Sequence, residues 1–122
     1  MKLATEKMIA RVDGAIGWMI FNNPVRHNAL SLEMWQAVGE ILPAFQQDEA
    51  VRVVVMTGAG EKAFVSGADI SEFDDKRDSA EAAEEYARVS EGGRAALADL
   101  EKPLIAMIRG YCLGGGLGTA LA

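Results

Sequence analysis

Histidine and cysteine are nearly missing from this chain of 122 residues, which holds one of each, His27 and Cys112. A single cysteine excludes an internal disulfide, and with a single histidine beside it no Cys/His metal cluster can form within one chain, so no metal site is expected. The lone cysteine fits a reducing compartment, and the expected localisation is cytoplasmic. Basic residues are also outnumbered, 12 Lys and Arg against 18 Asp and Glu, leaving a formal net charge of -6. That balance argues against nucleic acid as a partner, because displacing its counterions takes clustered cations. An anionic ligand would need a local cation or main-chain N–H groups. The opening "MKLATEKMIARVDG" lacks the apolar run and the small-residue cleavage pattern of a secretion signal. Short-period repeats and low-complexity runs are absent as well. Only "PLIAMIRGYCLGGGLGTALA" (103–122) is apolar for the length of a membrane span, and Arg109 and the crowded glycines make it read as a buried strand entering a Gly-rich helix, with no membrane partner expected.

What is present is an ordinary folded composition, 50% hydrophobic and 25% charged residues. The length suits one domain or part of a larger one. Residues 8–21 hold two β-prone runs around Asp13-Gly14, a dipeptide that supplies the positive φ of a tight hairpin. "NNPVRHNAL" follows as a loop, with Ser31 available as a helix N-cap. Met34, Trp35, Val38, Ile41, Leu42 and Phe45 then fall on one face of a helix over 31–47, in which Pro43 predicts a kink or a tightened last turn. "VRVVVMTG" has the continuous apolarity of a strand covered on both faces. "EKAFVSGADISEFDDKRDS" reads as a long loop, and loops of that length are commonly functional. Asp78 and Glu81 have capping-box spacing for a second helix to about Leu100, with Ala82, Tyr86, Val89, Ala96 and Leu97 inward and Gly92-Gly93 weakening its middle. "LIAMI" after Pro103 is a second buried-strand candidate. Strands alternating with helices imply an α/β fold with parallel pairing.

"GYCLGGGLG" (110–118) packs five of the 13 glycines into nine positions. A dinucleotide fingerprint fails in spelling, since its third glycine would fall on Thr119 or Leu121, and a P-loop fails for want of lysine. Two readings stay open on spacing alone. The run is either a strand-to-helix junction whose bare N–H groups can meet a ligand oxygen, or a set of small residues at Gly110, Gly114 and Gly118 that permits close helix packing.

Taken with it, "KAFVSGADI" (62–70) and "NNPVRHNALS" (22–31) make the chain resemble the enoyl-CoA hydratase/isomerase, or crotonase, family. The first stretch and "IRGYCLGGGLGTALA" (108–122) are similar to that family's two oxyanion signatures, and the third to its coenzyme A loop. The resemblance implies a crotonase-like spiral of ββα units, with residues 1–122 as the N-terminal portion of a single domain. It implies an acyl-CoA or enoyl-CoA substrate and no cofactor beyond the coenzyme A of that substrate. It also implies a homo-oligomer, trimer or hexamer, in the complete protein. The implied oxyanion donors are the main-chain N–H groups of Ala68 and Gly115, which would stabilise a thioester enolate. Arg26, Ala29, Ser66, Ala68, Asp69, Ile70 and Gly115 are implied along the coenzyme A and pantetheine path. Arg26 reads equally as a solvated loop cation, His27 as a surface histidine, Asp69 as ordering its loop, and Cys112 as a small packing residue. The carboxylates of "EFDD" and "EAAEE" read as a solvated face.

Two departures bear on the reaction. Three residues beyond the second donor, where hydratases of the family carry a glutamate, stands Gly118. The family's second glutamate lies further along its pattern than Ala122. The first departure shifts weight from hydration toward isomerisation or another enolate reaction, with a non-catalytic acyl-CoA-binding or assembly subunit as the alternative. A chain reaching roughly two turns into its last helix is expected to expose core surface and to aggregate, oligomerise or accept a complementing partner.

Overall fold

A computed structural model of the chain describes residues 2–69 and 79–121. Strand β1 (Met8–Asp13) turns through Gly14 into β2 (Ile16–Phe21), and a 3-10 turn at Pro24–Arg26 leads to α1 (Leu32–Gln47). Then come β3 (Val53–Gly58), β4 (Ala63–Val65), α2 (Ala80–Asp99), β5 (Leu104–Met107), β6 (Tyr111–Cys112) and α3 (Gly115–Ala120). The order is two strands and a helix, repeated.

The first strands of the three units, together with β2, build one sheet, and the second strands of the two later units build another. In the larger sheet, ordered β1-β2-β3-β5, the hairpin is antiparallel and the β2-β3 and β3-β5 pairs are parallel. The smaller sheet is the parallel pair of β4 and β6. Those two strands lie inside stretches that read as loop or glycine cluster. At three and two residues they are too short for a period-2 pattern to register, and only pairing across the fold defines them.

α1 lies on the face of the large sheet that carries Met19, Phe21, Val54 and Met56, and its whole predicted stripe is buried, joined by Ala37. Ser31 caps it, the hydroxyl accepting from the Met34 N–H at 3.4 Å. Pro43 sits inside the helix, which continues to Gln47. Lys102 closes the far end, its ammonium donating to the Phe45 carbonyl at 2.6 Å and the Asp48 carbonyl at 2.7 Å. Both acceptors lie at the negative end of the helix dipole, where a cation is favoured.

α2 is capped by Ser79, whose hydroxyl accepts from the Ala82 N–H at 3.0 Å, whereas the capping-box spacing points to Asp78, a residue outside those described. The helix passes through Gly92-Gly93 unbroken. A Cβ at Gly93 would meet the Trp35 ring at 2.6 Å and the Trp35 carbonyl at 2.8 Å, so this glycine lets α1 and α2 cross closely. Ser90 and Gly93 occupy inward positions that an apolar stripe cannot reveal.

β5 differs from expectation in its covering. Leu104 and Ala106 are half-buried against the core, whereas Ile105 and Met107 are exposed, because β5 is an edge strand whose second face no described residue covers. The expected doubly covered strand holds for β3 alone, buried from Val54 to Gly58. No described helix is long and apolar enough to cross a membrane, and 103–121 resolves into two strands and a short helix.

Candidate active site

The short sheet sets the geometry of the two signature stretches. β4 and β6 run parallel with Val65 opposite Cys112. Three residues past Val65 is Ala68 and three past Cys112 is Gly115, so the register carries these two out of the sheet side by side. A Cβ built on Gly115 would stand 3.9 Å from the Ala68 nitrogen.

Each strand end is turned by a glycine in a conformation that L side chains rarely adopt. Gly67 has φ 137° and Gly114 has φ 52°. Past Gly67 the chain bridges Leu30. The Leu30 N–H donates to the Gly67 carbonyl at 2.7 Å and the Asp69 N–H to the Leu30 carbonyl at 2.8 Å. In such a parallel bridge the residue between those two groups points its own N–H the other way. Among the described residues, neither the Ala68 nor the Gly115 N–H has an acceptor.

Both residues line one cavity of about 400 Å³. Its wall is a single face of α2, contributed by Ala83, Tyr86, Ala87, Ser90, Glu91 and Arg94, and Leu30 and Trp35 complete it. The Arg94 guanidinium lies 4.9 Å from the centre of the Trp35 ring, a cation–π distance. Glu91 is the one carboxylate among the described lining residues.

The glycine run divides by position. Gly116 is packed so closely on β4 that an added Cβ would collide with the Val65 carbonyl, while Gly114 and Gly118 meet nothing within 4 Å. Close packing therefore belongs to Gly116 and Gly110, the latter set against the Lys62 carbonyl, and the spacing of Gly110, Gly114 and Gly118 as one packing stripe does not hold.

The coenzyme A loop candidates are spread along one edge of this arrangement. Arg26 is exposed, as is His27, whose ring stacks on Tyr111 with centroids 5.5 Å apart. The Ala29 side chain is buried, and its carbonyl accepts from the Asn23 side-chain amide at 3.0 Å. Ser66 joins the loop to β4, its N–H donating to the His27 carbonyl at 3.2 Å and its hydroxyl to the Arg26 carbonyl at 3.3 Å. Asp69 is buried in the bridge to Leu30, while Ile70 and "EFDD" lie outside the described residues. A second cavity of about 260 Å³ opens beside the loop, lined by His27, Asn28 and Lys62 among others.

The carboxylates of "EAAEE" are exposed on α2. There the side-chain hydrogen bond with Arg88 holds Glu85 below the usual glutamate range and raises Arg88 in turn. Sequence reasoning missed Asn28 and the cavity-facing side of α2. The second was detectable as residues at i, i+3, i+4, i+7, i+8 and i+11 from Ala83, a face in its own right beside the apolar one.

Compared with known proteins, residues 11–122 match the family described as enoyl-CoA hydratase/isomerase. The chain belongs to the enoyl-CoA hydratase/isomerase family. It is 31% identical over 119 residues to a crotonyl-CoA hydratase of Syntrophomonas wolfei, covering 98% of this chain and 45% of that relative. With a carnitinyl-CoA dehydratase of Proteus mirabilis it shares 37% identity over 112 residues, 89% of this chain and 40% of the relative. The backbone matches a crystal structure of an enoyl-CoA hydratase/carnithine racemase from Magnetospirillum magneticum with a TM-score of 0.89 at 39% identity, covering 96% of this chain and 44% of that one. The succession of ββα units is thus the crotonase-like fold expected from the resemblance. The chain spans less than half the length of these enoyl-CoA hydratase/isomerase family relatives.

Proposed function

We propose that these residues form the acyl-CoA-binding, enolate-stabilising part of an enoyl-CoA hydratase or isomerase. The observation that carries this reading is the pair of main-chain N–H groups, Ala68 and Gly115, side by side on one cavity and without acceptors among the described residues. A thioester oxygen seated between them would accept both. When the α-proton leaves, or a nucleophile adds at the β-carbon, the electron pair moves onto that oxygen. Donors already oriented stabilise it with no reorganisation, each to the extent of ~10²–10³ in rate. α3 has only six residues, so its macrodipole is small and the effect rests on the two N–H groups themselves. The acyl chain would run along the α2 face, with the coenzyme A moiety leaving past Ser66 and the loop of Arg26 and Ala29.

Hydration further requires a carboxylate to hold water. Gly118, where the family pattern has its first glutamate, faces open space. That observation favours isomerisation or another enolate reaction, with acyl-CoA binding without turnover as the second reading.

The test is the carbonyl stretch of a short-chain acyl-CoA labelled with 13C at the thioester, measured free and bound. Gly115 is the first helical residue of α3, the position where proline is best tolerated, so Gly115→Pro removes one donor and Gly115→Ala retains it. The wild type and Gly115→Ala are expected to shift the stretch to lower frequency, and Gly115→Pro to lose much of the shift. An unshifted carbonyl in bound wild type, or a full shift in Gly115→Pro, would overturn the assignment.

A further inference from the structure

The loop before α1 touches the Ala68 strand at both of its ends, and one side chain makes the contact at the near end. Asn28 is buried, 1% exposed, with φ 58°. Its side-chain oxygen accepts from the Asn23 N–H at 2.8 Å. Its amide donates to the Ala63 carbonyl at 2.8 Å, at the first residue of β4, and to the Ala59 carbonyl at 3.1 Å, in the turn before it. Gly58 leaves room for this reach, since a Cβ there would stand 2.6 Å from the Asn28 amide nitrogen. On either side of Asn28 the main chain grips the far end of the same strand. The His27 carbonyl accepts from Ser66, and Leu30 exchanges bonds with Gly67 and Asp69.

We propose that Asn28 is the positioning residue for the Ala68 N–H: it fixes where β4 begins relative to the 23–30 loop, and the loop then fixes where β4 ends. The segment from Ala63 to Asp69 is thereby held at two points, and the Ala68 N–H between them has one direction left. Both amide hydrogens of Asn28 are used on main-chain carbonyls, so no solvent-facing role competes with this one. The proposal rests on Ala68 being an oxyanion donor, and its test has one arm that is independent of that reading.

Asn28→Asp keeps the shape and the acceptor for Asn23 but loses both donated bonds. Asn28→Gly loses all three side-chain bonds while accommodating the positive φ. Val54→Ala, a core change on the large sheet, serves as a control of matched thermal destabilisation. Without ligand, amide hydrogen exchange at Leu30, Ser66 and Asp69 is expected to speed up roughly tenfold or more in both Asn28 variants, with β1, β2 and β3 unchanged. With the 13C-labelled acyl-CoA, both variants are expected to bind yet lose most of the carbonyl shift, whereas Val54→Ala keeps it. Unchanged exchange at those three amides, or a rise spread evenly over the chain as in Val54→Ala, overturns the proposal. So does a wild-type carbonyl shift in both Asn28 variants. An unshifted carbonyl in the wild type itself refutes the oxyanion reading, and the exchange arm then decides the role of Asn28 alone.

Discussion

Gly116→Ala and Gly118→Ala add the same methyl group two positions apart in the six-residue helix α3, and the fold gives them opposite signs. At Gly118 the new carbon meets nothing within 4 Å, so the change acts through helix propensity and is expected to stabilise by about 0.5–1 kcal/mol. At Gly116 it would lie 2.6 Å from the Val65 carbonyl carbon and 3.1 Å from its Cβ, besides the collision with the carbonyl oxygen. Ordinary contact begins near 3.4 Å, so the carbonyl carbon alone would require α3 and β4 to separate by about 0.8 Å and the closer oxygen by more, and the atoms struck belong to a strand buried along its length. Overpacking against such a neighbour costs about 1–3 kcal/mol. The two variants should therefore differ by ~1.5–4 kcal/mol, which for a chain of this size separates their melting temperatures by roughly 10 °C. Thermal unfolding followed by circular dichroism measures this directly. The same displacement parts Gly115 from Ala68, so Gly116→Ala should also bind acyl-CoA more weakly at temperatures where it is folded. A Gly116→Ala protein melting at or above the wild type, or a Gly118→Ala protein melting below Gly116→Ala, would refute the argument from contact distances.

The same contrast recurs in α2, where Gly93→Ala should destabilise by about 1–3 kcal/mol against the Trp35 ring and carbonyl, and Gly92→Ala, with nothing within 4 Å, should gain about 0.5–1 kcal/mol in chemical denaturation. Lys102→Met keeps most of the side-chain volume but removes the ammonium from the Phe45 and Asp48 carbonyls, and is expected to cost ~1 kcal/mol in the same assay. Ile105 and Met107 are 53% and 36% exposed on the open face of β5, so the chain should self-associate with rising concentration in sedimentation velocity. Replacing both by lysine should suppress that association, and an unchanged sedimentation profile would show that another surface is responsible.

The elements that could be read along the chain are those whose stabilising contacts repeat locally. The Asp13-Gly14 hairpin, the stripe of α1 with its Ser31 cap, and the apolar run of β3 each carry their signal within a few residues. β4 and β6 carry none, because a strand of two or three residues exists only through its neighbour. The covering of β5 is not legible in the sequence, since apolar composition reports what a strand could bury, whereas exposure depends on which element lies against it. The motif resemblance pointed to Ala68 and Gly115, while glycine spacing by itself left junction and packing undecided. Contact distances then assigned packing to Gly116 and cavity lining to Gly115.

By itself the sequence determined the family, the ββα order as the family implies it, and the absence of a glutamate at position 118, since each is a matter of which residue stands where. Tertiary structure alone decided that Ala68 and Gly115 meet. They are far apart in the chain, and the parallel register of Val65 with Cys112 brings them together. It also decided the task of Asn28, which resembles any loop asparagine until its amide is seen spanning two carbonyls more than thirty residues away. Hydrogen bonds between distant segments leave no periodic trace, because neither partner's local sequence constrains the distance between them.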